Sequence, residues 1–321
     1  RLTMDMFDSR SATPMLIGVE SGPFDDDGWI YELKLDGERT LAYLDKQETL
    51  LVNKRSVRLL ARFPELSTLN DAISRRCILD GELIIVDENG HPDFEEIKRR
   101  SLMTRSLAIE RAAALRPAVF VAFDILYDTD REIIHLPLME RKAILDGLVK
   151  ENAQISVARY VSTEGTAFYE LAKKRELEGI IAKRKDSLYS PGKRTKDWIK
   201  IKNLLDDDYI ICGYVSNAEY VVSIVLGQYD RSGRIVYKGR VTLGKSSDDF
   251  ALIEKQPKTK RYPFPEKPPA YVDNAIWIRP KLVCKVAFMA RNHNGLMRQP
   301  VYKGLRLDKT AKEVCEPEIA G

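Results

Sequence analysis

Histidine and cysteine are scarce in this chain of 321 residues. There are three histidines (His91, His135, His293) and four widely spaced cysteines (Cys77, Cys212, Cys284, Cys315), with no C-x-x-C pair. A structural zinc site lacks close ligands, and the cysteines read as small core hydrophobes. No apolar run reaches the roughly 18 residues of a membrane span. The opening RLTMDMFDSR has no apolar signal-peptide core, so the default compartment is the cytosol. A dominant charge is also missing, since 52 Lys and Arg stand against 48 Asp and Glu. Any basic surface must therefore come from arrangement. The first residue is Arg1, which suggests an excised module or a preceding leader.

What is present is 44% apolar and 31% charged residues, the balance of a globular protein long enough for two domains. Residues 29–54, WIYELKLDGERTLAYLDKQETLLVNK, alternate in apolar runs broken at Asp36-Gly37 and at 45–48, which predicts three strands joined by turns. CILDGELIIVDENG (77–90) repeats the design as a second hairpin around Asp80-Gly81 and ends in a turn at 88–90. AVFVAFDILYD (118–128) reads as a buried strand. Helical spacing behind Pro137 groups Leu138, Arg141, Lys142, Leu145, Leu148 and Val149 within 138–152, and a second helix spans 165–179. Strands follow at 180–184 and 198–203. Beyond LLDDD (204–208) come short strands with Gly-rich turns, a helix over 246–256, and a proline-rich loop or lid over 257–273. The expected fold class is α+β, with an α+β module followed by an all-β module, a small barrel.

In YELKLDGERT (31–40) a single lysine, Lys34, sits among apolar residues just before Asp36-Gly37 breaks the strand. Glu32 and Lys34 share a face by period-two alternation, and the turn frees backbone N–H groups beside it. A lysine in a partly desolvated pocket near other cations can lose its proton and become a nucleophile, whereas an ordinary strand lysine extends its ammonium to water. Further along, Glu82 follows Asp80-Gly81, Phe123 lies in the buried strand, and Glu178-Gly179 opens a strand ending in Lys183-Arg184. Strict alternation puts Glu178 and Lys183 on opposite faces, unless the strand begins after Glu178 or bulges. Lys200 and Lys202 alternate with Ile199 and Ile201, and two parallel lysines on a half-buried face want an anion, most naturally phosphate. Taken singly, each has a plain reading as a solvated turn acid, a core ring or an exposed lysine face.

In order and spacing these segments resemble the covalent nucleotidyltransferases, most closely the ATP-dependent DNA ligases. KLDGER is similar to the family's lysine-nucleophile motif, and LDGEL, FVAFDIL, EGIIAKR, DWIKIK and LMRQPVYKGLRLDK (296–309) match the remaining motifs in sequence. YSPGKRTKDWIKIK and the ending resemble the ligase module of bacterial end-joining ligase D. The resemblance implies a nucleotidyltransferase (adenylation) domain over 1–203 and an OB-fold barrel over 204–321. It implies that Lys34 takes AMP from ATP as a phosphoramidate. Glu32 and Phe123 would frame the adenine, Phe123 by stacking, with Leu33 also among the nucleotide contacts. Arg39 and Glu82 would address the ribose or the metal, and Glu82 and Glu178 would hold Mg²⁺ or Mn²⁺. Lys183, Arg194, Lys200 and Lys202 would gather the phosphates, while Arg298 and Lys303, from the barrel, would orient the leaving pyrophosphate. Where the family commonly shows Ser-Arg-Asn-Gly, this chain has NKRS (53–56), which leaves Lys54 or Arg55 for that arginine's work. Lys285 stands where ligases often carry an acidic or neutral residue.

Basic clusters at 54–62, 98–105, 183–196 and 258–261, on a chain of small net charge, predict segregation onto one side that grips DNA phosphates without sequence readout. The expected activity is sealing of nicks in duplex DNA through lysyl-AMP and an adenylated 5′ end, in repair or end joining. The expected protein is a cytoplasmic, nucleoid-associated bacterial monomer without membrane contact, compatible with a Ku-like partner or a fused polymerase module. Two alternatives remain: RNA ligation or GTP-dependent capping with the same lysine chemistry, or a catalytically silent nucleic-acid-binding protein.

Overall fold

The computed structural model describes residues 4–216, 218–267, 272–292 and 294–317, and the chain divides into two compact units, one ending at Asn203 and the other starting at Leu204. The first unit contains β1 (Leu16–Glu20), β2 (Asp26–Leu33), β3 (Glu38–Leu44), β4 (Thr49–Asn53), β5 (Cys77–Ile84), α1 (Phe94–Ser101), α2 (Ser106–Leu115), β6 (Val119–Asp128), β7 (Arg131–Glu132), α3 (Leu138–Leu148), β8 (Ile155–Val157), β9 (Tyr160–Thr163), α4 (Gly165–Lys174), β10 (Gly179–Arg184) and β11 (Arg194–Lys202). They form two sheets, ordered β1-β11-β10-β2-β9 and β4-β3-β5-β6-β7, with β8 parallel to β6. Residues 34–37 carry the chain from the first sheet to the second, so Lys34 lies at their junction. At Gly37 a Cβ would fall 2.1 Å from the Leu83 carbonyl oxygen, so a side chain cannot be accommodated at this crossing.

The three strands expected over 29–54 form, but the turn expected at Asp80-Gly81 does not. Strand β5 runs straight through it because Cys77–Leu83 pair without interruption with β3. The irregularity lies in the neighbour: β6 inserts Phe123 between the partners of Asp80 and Gly81. Gly81 thus serves close packing, since a Cβ there would meet the Val121 carbonyl oxygen at 2.3 Å.

Helices α1 and α2 are not among the expected elements: the basic cluster at 98–105 overlaps the end of α1 and stops just before α2. Asp93 caps α1 by accepting the Glu96 N–H at 3.1 Å, a start signal visible in the sequence. Helix α3 buries Leu138, Arg141, Lys142, Leu145 and Leu148, so the predicted stripe goes inward with both cations. Helix α4 ends sooner than expected, and Glu176 beyond it takes a left-handed φ of 55°. Strand β10 begins at Gly179, with φ of 144°, so Glu178 precedes the strand and the alternation conflict disappears. Trp198 of β11 packs with Tyr43, Ile78 and Leu126 of the second sheet, joining the two layers.

The second unit contains β12 (Leu205–Val215), β13 (Val221–Tyr229), β14 (Ile235–Gly244), α5 (Asp248–Glu254), β15 (Ile276–Trp277), β16 (Val283–Phe288), β17 (Ala290–Arg291), β18 (Met297–Arg298) and β19 (Val301–Leu305). Its main sheet runs β14-β13-β12-β16-β19, with β15 beside β12 and a β17-β18 ribbon. The end strands β14 and β19 approach each other, curling the sheet toward a barrel. Lys285 lies opposite Asp208 on β16 and 3.9 Å from Asp206, a half-exposed strand lysine beside acids. Of the proline-rich segment 257–273, residues 268–271 lie outside the described residues. Among the described residues, no helix is long and apolar enough to cross a membrane.

Candidate active site

Pairing across the first sheet sets Glu32, Ile181 and Lys200 in one row on β2, β10 and β11, with Ile30, Lys183 and Trp198 in the next row of the same face. Alternation extends that face to Lys202, opposite Gly179. The second sheet contributes Arg39 opposite Glu82, and Phe123, which the bulge in β6 re-aims. Glu32, Leu33, Lys34, Arg39, Glu82, Phe123 and Lys183 line one cavity of about 200 Å³, with Trp198 in its wall.

Buried charges around this cavity are locked together. The Glu32 carboxylate takes the Lys142 ammonium on one oxygen and Lys183, at 2.8 Å, on the other. Burial would raise the Glu32 pKa, but Lys142 and then Lys183 hold it below the usual carboxylate range. Burial and the nearby Lys142 charge push Lys183 down. Its ammonium lies 4.2 Å from the ring centroids of both Phe123 and Trp198. Arg39 forks onto Asp80, with both bonds at 2.7 Å, and donates to the Met15 carbonyl at 2.9 Å. Asp80 also accepts the Tyr189 hydroxyl at 2.6 Å. Asp124 and Arg141, both fully buried, pair at 2.8 and 3.0 Å.

Lys34 has different surroundings. Its backbone N–H donates to the Gly179 carbonyl at 3.0 Å, and its ammonium pairs with the Glu178 carboxylate. Burial, then the Lys200 charge, and also Lys34, lower the pKa of Lys202. These lysines form a cationic edge that an anion would stabilise. Glu82 is pushed up to about 8, chiefly by burial; Arg39 and Lys34 oppose the rise, while Asp80 and Glu178 add to it.

Glu82 and Glu178, whose charges act on one another beside Lys34, are the carboxylates that could hold a divalent cation, and such a charge would favour the ionised form of Glu82. Among the described residues, no cluster of three or more His, Cys, Asp or Glu side chains could hold a metal alone. Two carboxylates would supply part of a magnesium coordination sphere and leave its other positions to water or substrate oxygens.

Lys183, expected among the phosphate cations, has its ammonium on Glu32 and over two rings. Arg55 and Lys54 line an adjoining cavity of about 650 Å³, which shares Arg39 with the first. Arg194 begins β11 with its side chain across Gly18, where a Cβ would meet it at 2.5 Å. Arg298 and Lys303 belong to β18 and β19 of the second unit. Sequence reading missed Asp80, Tyr189, Asp124, Arg141, Lys142 and Trp198 as supports of the site. The two cations in the apolar stripe of α3 were the available signal, since a buried cation needs a buried partner.

A family model of the ATP-dependent DNA ligase domain matches residues 20–202, and one of the ATP-dependent DNA ligase C-terminal region matches residues 217–309. The multifunctional non-homologous end joining protein LigD of Pseudomonas aeruginosa is 29% identical over 305 residues, which cover 91% of this chain and 35% of that protein. The chain therefore spans about a third of the length of that relative. A prophage-derived DNA ligase-like protein, LigB, of Bacillus subtilis is 27% identical over 92% of this chain and 99% of its own length. A solved structure described as mycobacterial DNA ligase D complexed with ATP and MES superposes with a TM-score of 0.55 at 25% identity, covering 98% of this chain and all of that one. The solved neighbours share the two-part architecture, a nucleotidyltransferase domain followed by an OB-fold.

Proposed function

This chain belongs to the ATP-dependent DNA ligases, and from that premise we propose that it seals nicks in duplex DNA, in repair or end joining, with Lys34 as the residue that carries AMP. The observation behind this reading is the convergence of Lys34, Glu32, Arg39, Glu82, Phe123 and Lys183 on one cavity, with Lys200 and Lys202 on the same sheet face. ATP is the substrate of the first step. The Lys34 amine attacks the α-phosphorus, a P–N bond forms, the bond to the bridging oxygen breaks, and pyrophosphate leaves. Glu178, which already holds the ammonium, is the adjacent acceptor for its proton.

Lys200 and Lys202 neutralise the phosphoryl oxygens, and Phe123 with Leu33 offers the base an apolar seat. Mg²⁺ at Glu82 and Glu178 would supply further charge neutralisation when bound. On the resemblance of LMRQPVYKGLRLDK to the family's last motif, Arg298 and Lys303 of β18 and β19 would orient the leaving pyrophosphate. A DNA 5′-phosphate oxygen then attacks the stored adenylate, breaking the P–N bond, and the neighbouring 3′-hydroxyl displaces AMP to close the strand.

Intact-mass measurement after incubation with ATP or GTP and Mg²⁺ tests this reading. An AMP adduct that disappears in Lys34→Ala, together with sealing of nicked DNA, supports it. A GMP adduct points to capping chemistry, sealing only of RNA points to RNA ligation, and no adduct leaves a silent binder.

A further inference from the structure

The basic cluster KTKR (258–261) and the proline-rich segment behind it play no part in the reaction above. Their cations part ways in the second unit. Lys258 turns back to the helix it follows, with its ammonium on the Glu254 carbonyl oxygen, 3.3 Å from that of Gln256, and 5.4 Å from the Tyr214 ring centroid. Arg261 instead lines a cavity of about 560 Å³, together with Arg234 from the β13–β14 turn and Arg279 beyond β15. Three arginines from three separate segments meet there, and none of the described residues lining the cavity is an Asp or Glu. Asp230 holds Arg234 at 3.1 Å. Among the described residues, the side chains of Arg261 and Arg279 have no ion pair or hydrogen bond.

The walls are preformed. Tyr229, Tyr262 and Phe264 line the cavity beside three prolines. Phe264 packs edge-on against Tyr262 at 5.6 Å and Trp277 at 5.8 Å, and the Tyr262 hydroxyl donates to the Glu266 carbonyl at 2.9 Å. Two backbone bonds clasp the segments that present the arginines: Thr259 N–H to the Trp277 carbonyl at 3.0 Å, and Arg279 N–H to the Pro257 carbonyl at 2.9 Å. Little ordering is left for a ligand to impose.

The two guanidinium forks without carboxylate partners, those of Arg261 and Arg279, match phosphate oxygens, and aromatic walls match the flat face of a base. We propose that this cavity is a second nucleotide site, which takes a nucleoside 5′-phosphate, free or as the 5′ end of an unpaired DNA strand, independently of Lys34.

The test uses the full chain without magnesium and a 5′-phosphorylated thymidine pentanucleotide labelled at its 3′ end, with binding read by fluorescence anisotropy. Arg261→Gln with Arg279→Gln should weaken binding at least tenfold while leaving AMP loading of Lys34 unchanged. Lys200→Gln with Lys202→Gln should do the reverse, so that failure of this site and failure of the lysyl-AMP reading give different patterns. Both arginines are exposed, and a thermal melt of the double variant checks that the unit stays folded. Competition by thymidine 5′-monophosphate at similar concentration identifies a free nucleotide as the ligand, and competition by the pentanucleotide alone identifies a strand end. Affinity within twofold of the unmodified chain in the arginine variant overturns the proposal. So does equal binding of the 5′-hydroxyl pentanucleotide, or preference for an acidic peptide.

Discussion

Around Glu32, Asp80 and Asp124 every buried cation already has a carboxylate, whereas Lys200 and Lys202, on the same sheet face as Glu32, have no ion pair among the described residues and lie close enough for one to depress the other. The first arrangement holds a shape whether or not a ligand is present. The second waits for an anion. The proposed adenylation asks for both: rigid, charge-balanced walls to hold the base at one end, and cations without an ion pair to neutralise the moving phosphoryl group at the other.

The charge-balanced end is most sensitive at Arg141. Replacing it with Met leaves Asp124 buried and unpaired, and should cost about 3–5 kcal/mol of stability, read as a lower urea midpoint. Replacing Asp124 with Leu in the same chain should recover most of that loss, because the uncompensated charge is gone. The open end should behave in the opposite way. Lys200→Gln with Lys202→Gln should slow AMP loading by about 10²–10³-fold, the range for removing a transition-state donor, while leaving the urea midpoint in place. A large stability loss in the lysine variant would show that these cations are structural after all.

Glu82 stands between the two regimes and sharpens the contrast through pH. In the folded chain it keeps its proton up to about pH 8, against an ordinary value near 4.5. Between those values the folded state holds one more proton than the unfolded state, so stability falls as pH rises, by up to about 1.4 kcal/mol per unit. Its contribution is complete below the lower value and lost above the higher one. Subtracting the curve of Glu82→Gln isolates it from Glu32 and Asp124, whose lowered values act at acid pH. Protons also compete with a divalent cation at this carboxylate, so stabilisation by Mg²⁺ should grow from pH 6 to pH 9 and be blunted in the variant. A flat difference curve would place Glu82 in water.

Much of this site was legible because its chemistry sits in short local patterns. Lys34 before Asp36-Gly37, and the Lys200-Lys202 alternation, state their geometry directly through strand period. The Asp80-Gly81 pair misled because the same dipeptide serves a turn or a close approach between strands. Only pairing with β3 and β6, both distant in sequence, decides between them. The locked charges were hidden for a similar reason: Lys142 meets Glu32 across 110 positions and Tyr189 meets Asp80 across 109, and no local pattern encodes such distances. Helix α3 came nearest to revealing them, since cations in an apolar stripe are anomalous until their partners are found.

The smallest expected effect concerns the turn after β4, where two cations compete for one role. Asn53 organises it: its side-chain oxygen accepts the N–H groups of Arg55 at 2.9 Å and Val57 at 3.0 Å, while its amide donates to Glu38 at 2.8 Å. Ser56 follows with a left-handed φ of 62°. Ser101 supports the same Glu38 carboxylate from α1 at 3.0 Å. This turn faces a cavity that shares only Arg39 with the lysine pocket, so disturbing it should touch the DNA steps more than AMP loading. Asn53→Ala should cost about 1 kcal/mol of stability and slow nick sealing about fivefold, with AMP loading within twofold of the unmodified chain. Ser101→Ala removes one bond to Glu38 and spares the turn, so it should do less. Equal slowing of loading and sealing in Asn53→Ala would mean that the two cavities act as one, and that the contrast between balanced and unpaired charges extends across both.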